Sequence, residues 1–170
     1  MSGVDDEYYM RQALAEAEKA LALGEVPVGA VAVWDGEIVG RGHNLRETEK
    51  NALRHAELIA IDEACRNLHG WRLWKCDLFV TLEPCPMCAG AIINSRIRRL
   101  VYGAADPKAG SCGSVADLFA LPYNHAPAVV SGVLAGESSA LLTEFFLRLR
   151  DTKAAENAAK KSLTTPEDVV

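Results

Sequence analysis

The 170 residues are 49% hydrophobic and 24% charged, a balance that supports one folded core without disulfide staples and argues against a disordered chain. No apolar run approaches the ~18 residues of a membrane span. The acidic opening Asp5-Asp6-Glu7 is the wrong charge for a secretory leader, so an unprocessed, cytoplasmic protein is expected. The net charge of −5 is unevenly spread, with eight acids and two bases in residues 1–40, so composition alone leans against a nucleic-acid partner.

Met10, Leu14, Ala17 and Leu21 recur at helical spacing and predict an amphipathic helix over 5–23, started by Asp5 or Asp6 and ended by Gly24. A valine-rich run over 28–34, the turn Asp35-Gly36 and a second run over 37–42 predict a β-hairpin. Residues 43–51 read as loop. Leu58, Ile61, Ala64, Cys65 and Leu68 then place a second helix from about Ala52 to Asn67. A strand over 77–82 leads into a helix over 86–95, opened by a proline whose missing N–H costs a first turn nothing. A strand over 98–102, a turn-rich loop over 106–114, a short helix over 115–120, a strand over 128–134 and a helix over 137–150 follow. This order implies an α/β fold of three layers, α/β/α, around a central mixed five-stranded sheet whose first two strands are antiparallel. The domain is expected to occupy 1–151. Residues 152–170 are expected to prolong the last helix to about Lys161 and to fray beyond Thr164-Thr165-Pro166.

Five cysteines, an odd number, do not describe a disulfide framework. Cys85 and Cys88 stand in C-x-x-C spacing at a strand-to-helix junction, where the helix dipole and free N–H groups lower thiol pKa. Cys65, Cys76 and Cys112 read as buried small hydrophobes. Thiolate and imidazole are the donors Zn²⁺ favours, and His55, Cys85 and Cys88 supply three of them. Three protein ligands leave one position for water, which is the character of a catalytic zinc site; Cys112 or His43 is the alternative fourth ligand. Glu57, a carboxylate outside the ligand set, is the candidate proton shuttle. Helical geometry sets a condition on this pair: residues two apart lie ~200° apart around a helix, so His55 and Glu57 can share a site only at a helix end.

H-A-E followed by P-C-x-x-C matches the known signature of the zinc nucleobase deaminases. Beyond it, the chain resembles the bacterial tRNA-specific adenosine deaminases over about residues 7–150. The resemblance is carried by Gly24-Glu25-Val26-Pro27-Val28-Gly29-Ala30, Gly42-His43-Asn44, His55-Ala56-Glu57 and Thr81-Leu82-Glu83-Pro84-Cys85-Pro86-Met87-Cys88-Ala89-Gly90-Ala91. It continues through Tyr102-Gly103-Ala104, Asp106-Pro107-Lys108-Ala109-Gly110, Gly113-Ser114, Asn124-His125 and Phe145-Phe146. It implies hydrolytic deamination of adenosine to inosine at the wobble position of a tRNA anticodon, a homodimer, and the cytidine-deaminase-like fold. It also implies one zinc on His55, Cys85 and Cys88, with Glu57 catalytic and with Asn44, Val26, Pro27, Ala56, Asp106, Lys108 and Phe145 binding substrate. Ser111-Cys112 departs from the alanines common there. Leu147 and Leu149 stand where relatives are more basic, which leaves Arg148 and Arg150 as the local charge.

Other readings stand beside these. Asn44 also suits a turn cap, and Arg96, Arg98 and Arg99 read either as a phosphate patch or as surface charge at a helix end. Trp71 and Trp74 suit a core or a subunit interface better than base stacking. The alternatives to the leading function are a deaminase of a free nucleobase or nucleotide on the same fold, and a non-catalytic, zinc-stabilised RNA-binding subunit. The acidic first helix and hairpin are expected to face away from RNA.

Overall fold

A computed structural model describes residues 3–163. Helix α1 (Gly3–Ala22) precedes the hairpin of β1 (Gly29–Trp34) and β2 (Glu37–His43), and α2 (Ala56–Asn67), β3 (Cys76–Leu82), α3 (Pro86–Ser95) and β4 (Arg99–Ala104) follow in alternation. A single 3₁₀ turn (Leu118–Ala120), β5 (Ala128–Ser131) and α4 (Ala135–Leu163) complete the described chain. The sheet runs β2-β1-β3-β4-β5. β1 is antiparallel to both neighbours, whereas β3, β4 and β5 are parallel, which is the mixed five-stranded sheet that the element order implies.

Alternation along the strands makes the three layers. Ala30, Ala32, Leu78, Val80, Leu100 and Tyr102 face α2 and α3 through Ala56, Ala60, Ala64, Ala89 and Ile92. Val31, Val33, Phe79 and Val101 point to the opposite face, where Tyr9, Met10 and Ala13 of α1 pack. Helix α2 lies unusually close to β2. A Cβ on Gly40 would stand 2.1 Å from the Ala60 carbonyl oxygen, and one on Gly42 would stand 2.2 Å from that of Ala56. These two glycines set how deep the start of α2 sits against the sheet.

Three boundaries differ from expectation, while the prolonged last helix is found as expected. Helix α2 begins at Ala56, not near Ala52, because the preceding backbone is spent closing a loop: Leu45 N–H donates to Arg54 O, Arg54 N–H to Asn51 O, and Leu53 N–H to Asn51 Oδ1. β5 stops at Ser131, since Gly132 (φ 83°) and Leu134 (φ 52°) turn the chain into α4. The short helix expected over 115–120 is only the 3₁₀ turn, capped by Asp117 accepting from Phe119 N–H. Helix α4 continues to Leu163, with residues 151–163 exposed throughout. The expected fraying beyond Thr164 lies outside the described residues.

Arg98 and Arg99 are committed to the fold. Asp77, 1% exposed, accepts from Arg98 Nη2 at 2.8 Å and Arg99 Nε at 3.1 Å, and Arg99 also pairs with Asp6 of α1. Arg96 occupies the left-handed C-cap of α3 and its guanidinium donates to Ile93 O. This cluster holds the amino end of the parallel strands, about 20 Å along β3 from its carboxyl end.

Candidate active site

Two helix N-termini meet at the carboxyl end of β3. His55 is the N-cap of α2 and Cys85 the N-cap of α3, both extended, and neither side chain caps its own helix. Each is therefore free to point outward. Pro86 opens α3 at N1, and Cys88 at N3 turns back toward Cys85. The N-cap position satisfies the condition on His55 and Glu57: His55 lies before the helix and Glu57 in its first turn, so the 200° separation does not apply.

His55 Nδ1 stands 3.6 Å from both Cys85 Sγ and Cys88 Sγ. Zinc–sulfur and zinc–nitrogen bonds of roughly 2.3 and 2.0–2.1 Å at a tetrahedral angle require S···N separations of about 3.6 Å, so this donor set fits the ion in both chemistry and spacing. The three ligand atoms lie within 4.8 Å of one another and form the sole such cluster among the described residues. The alternative fourth ligands are elsewhere engaged or absent from the cluster: His43 Nδ1 pairs with Glu16 at 3.0 Å, and Cys112 is not part of it.

The electrostatics suit a cation. Cys85 is lowered to about 4, first by the hydrogen bond from Cys88 and also by His55, against the opposing effect of burial. Cys88 is raised by that same hydrogen bond and by burial, and His55 is raised chiefly by its bond to Cys85. Glu57 is 4% exposed and is raised by desolvation, in the direction that keeps a carboxyl group able to exchange a proton near neutrality.

A cavity of about 160 Å³ opens over this cluster, lined by Val26, Val28, Asn44, Arg46, His55, Ala56, Glu57, Leu82, Glu83, Cys85, Asp106 and Ala109. Six of the residues expected from sequence are brought together there besides Cys85: His55, Glu57, Ala56, Asn44, Val26 and Asp106. Cys88 lies beneath, fully buried. Pro27 is buried behind the lining, Lys108 is exposed on the 106–114 loop, and Phe145 sits on α4 in edge contact with Phe146; none of these three lines the cavity. Asn44 is both a turn cap and a wall residue. Its Oδ1 accepts from Arg46 N–H at 3.1 Å and its Nδ2 donates to Val26 O at 3.3 Å, which leaves one amide hydrogen and one lone pair for a ligand. The 106–114 loop, which the resemblance implied as a cleft wall, contributes Ala109 as well as Asp106, whereas Val28, Arg46, Leu82 and Glu83 were not singled out as lining. Glu83 carried a signal, an acid set against the buried strand β3, but Arg46 carried none.

An α/β/α sandwich with a His/Cys/Cys cluster at two helix N-termini and a buried non-ligand glutamate defines a hydrolytic deaminase. Comparison with known proteins narrows the class. The MafB19-like deaminase family model matches residues 4–150. A tRNA-specific adenosine deaminase of Bacillus subtilis is 52% identical over 160 residues, covering 94% of this chain and 98% of the relative. One of Haemophilus influenzae is 50% identical over 161 residues, covering 94% and 93%. A solved structure from work on A-to-I editing by tRNA:A34 deaminases at the wobble position of transfer RNA aligns with a TM-score of 0.77 at 46% identity, covering 79% of this chain and 99% of that one. The chain belongs to the family of tRNA-specific adenosine deaminases.

Proposed function

We infer that the protein hydrolyses the 6-amino group of adenosine at the wobble position of a tRNA anticodon, giving inosine and ammonia. The observation that carries this reading is the placement of Glu57 beside three zinc-type donors at the base of a small cavity, buried and paired with no lysine or arginine among the described residues. At about 160 Å³ the cavity is narrower than the ~300–1,000 Å³ of drug-sized ligand sites and suits one splayed-out base. His55, Cys85 and Cys88 would hold one zinc per subunit, which would supply Lewis acidity toward water near neutral pH.

The chain's own residues do the rest. The Glu57 carboxylate takes a proton from the attacking water and passes it to N1 of the adenine ring as oxygen adds at C6. It then delivers the second proton to the exocyclic amine, which leaves as ammonia while the C6 carbonyl forms. Asn44, pinned by Val26 O and Arg46 N–H, directs its remaining amide hydrogen and lone pair at the nucleoside. Val26, Ala56 and Asp106 wall the base, with Pro27 backing that wall, and Lys108 and Phe145 meet RNA outside the pocket.

Partner and setting complete the reading. No helix is long and apolar enough to cross a membrane among the described residues, and a tRNA substrate belongs to the cytoplasm. Trp71 and Trp74 are 52% and 62% exposed and so not in the core, which supports the interface of a homodimer as their place. Acidic α1 packs across the sheet from α2 and α3, which supports its turning away from RNA.

The deciding experiment measures inosine formation on an anticodon stem-loop beside free adenosine, cytidine and guanine. Inosine from the stem-loop is expected, and activity on free compounds alone overturns the reading. Competitive binding across a salt series tests the extent of contact. A stem-loop binding nearly as well as whole tRNA, with a slope equivalent to roughly two to five single-strand phosphate contacts, is expected. A hundredfold weaker stem-loop defeats that picture. Light scattering of the purified chain should give the mass of two subunits, and a monomer at every concentration removes the dimer.

A further inference from the structure

Glu83 stands between β3 and the ligand Cys85 and is 2% exposed. A buried carboxylate without a cation must collect hydrogen bonds. Glu83 collects them all from one loop. Its Oε1 accepts from Cys112 N–H at 3.1 Å and Ser114 N–H at 3.0 Å, and its Oε2 accepts from Asp106 N–H at 3.0 Å and from the Ser114 hydroxyl. Ser111 N–H adds a bond to Pro84 O at 2.9 Å. The loop closes so tightly on the carboxylate that a Cβ on Gly110 would stand 2.4 Å from both Glu83 Cδ and Oε2. The same loop presents Asp106 and Ala109 to the cavity.

We propose that Glu83 is a positioning residue: its carboxylate clamps the 106–114 loop to the strand end that carries Cys85, fixing the far wall of the base pocket relative to the metal-binding cluster. The proposal rests on the deaminase reading above for its kinetic consequence and on geometry alone for the clamp. Glu83 does not need to touch the substrate. Its four acceptor positions are filled by loop donors, so it acts through Asp106 and Ala109. A base held by a loosened wall still enters the cavity but spends less time aligned for attack at C6, and a misplacement of ~1 Å costs on the order of a hundredfold in rate.

Glu83→Gln keeps the size and replaces one acceptor oxygen by an NH₂ group facing donors. Amide hydrogen exchange at Asp106, Cys112 and Ser114 should accelerate at least about tenfold, while zinc content stays near one per chain. On the stem-loop, kcat should fall roughly 10- to 100-fold with KM within about threefold. Ser114→Ala, which removes one donor and leaves the carboxylate, should show the same split at smaller size. Gly110→Ala reaches the clamp from the loop side and should reproduce it if Glu83→Gln fails to fold. Unchanged exchange at the three amides, or a kcat loss that follows zinc loss, overturns the proposal. Wild-type protein run in parallel separates the two readings: if it makes no inosine the deaminase assignment fails, while amide exchange still decides the clamp.

Discussion

At the amino ends of β3 and β4 the buried carboxylate of Asp77 meets two guanidinium groups, and one of these reaches on to Asp6 of α1. Near the carboxyl ends the buried carboxylate of Glu57 has no lysine or arginine in ion-pair range among the described residues, and its desolvation outweighs the lowering effects of its own backbone N–H, His55 and Cys88. The two carboxylates are alike in burial, at 1% and 4% exposure. They differ in what the surrounding chain gives them. Asp77 is neutralised and ties α1 to the sheet, a structural use of charge. Glu57 is desolvated and meets no such cation, which fits the proton transfer proposed for it. A buried titratable group next to a cavity with its neutralising partner withheld is the mark of function here; the same group saturated by arginine is the mark of fold.

The contrast is broken most severely at Glu57. Glu57→Ala should lower inosine formation at least about 1,000-fold while keeping about one zinc per chain, because the residue moves protons and is not a ligand. Metal analysis of the purified variant checks this, and metal loss makes the ligand assignment wrong. The opposite end should give the opposite result. Asp77→Ala strands Arg98 and leaves Arg99 only Asp6, and it should cost about 2–3 kcal/mol of unfolding free energy in denaturant titrations, reduced from a fully buried pair because Arg98 is half exposed. Its kcat should stay within about twofold of wild type, and a tenfold loss would couple the two ends.

Smaller effects sharpen the comparison. Glu16, also buried, is raised by desolvation, but hydrogen bonds from Lys19 and His43 more than offset this and leave it lowered. A carboxylate depressed in the folded state stabilises above its unfolded value near 4.5 and loses that contribution as pH falls through the folded value. Glu16→Gln should therefore cost about 1 kcal/mol at pH 7, with the difference from wild type shrinking below about pH 4.5 in melts taken across pH. Least affected should be zinc content in Cys65→Ala, Cys76→Ala and Cys112→Ala, each near one ion per chain. A zinc-poor Cys112 variant would make the site a closed one.

Short spacings were enough to read much of this molecule. C-x-x-C opened by Pro86 places two thiols at the N-cap and N3 of one helix, and that follows from helical rise and turn without help from the rest of the chain. The apolar runs in residues 28–34 and 77–82 read as short strands, and the structure buries both faces of each, with a helical layer on each side. Of the substrate-binding residues the resemblance implied, Val26, Asn44, Ala56 and Asp106 line the cavity, and Pro27, Lys108 and Phe145 stand outside it. Exposure at residue 108 depends on which way a loop turns, and residue 145 on how α4 packs; neither is a property of the motif.

What the sequence by itself determined is therefore local: the element types, the mixed sheet they imply, and the donor types of His55, Cys85 and Cys88 that the fold brings together. Tertiary structure decided where α2 starts, and so whether His55 and Glu57 could face one site. It also decided that Arg98 and Arg99 serve Asp77, and that Glu83 gathers a loop 23 to 31 residues away. The physical reason is range. Helical and strand periodicities are set by neighbours within a few residues, whereas a buried carboxylate accepts whichever donors the fold brings within about 3 Å, and no spacing in the chain records who they are.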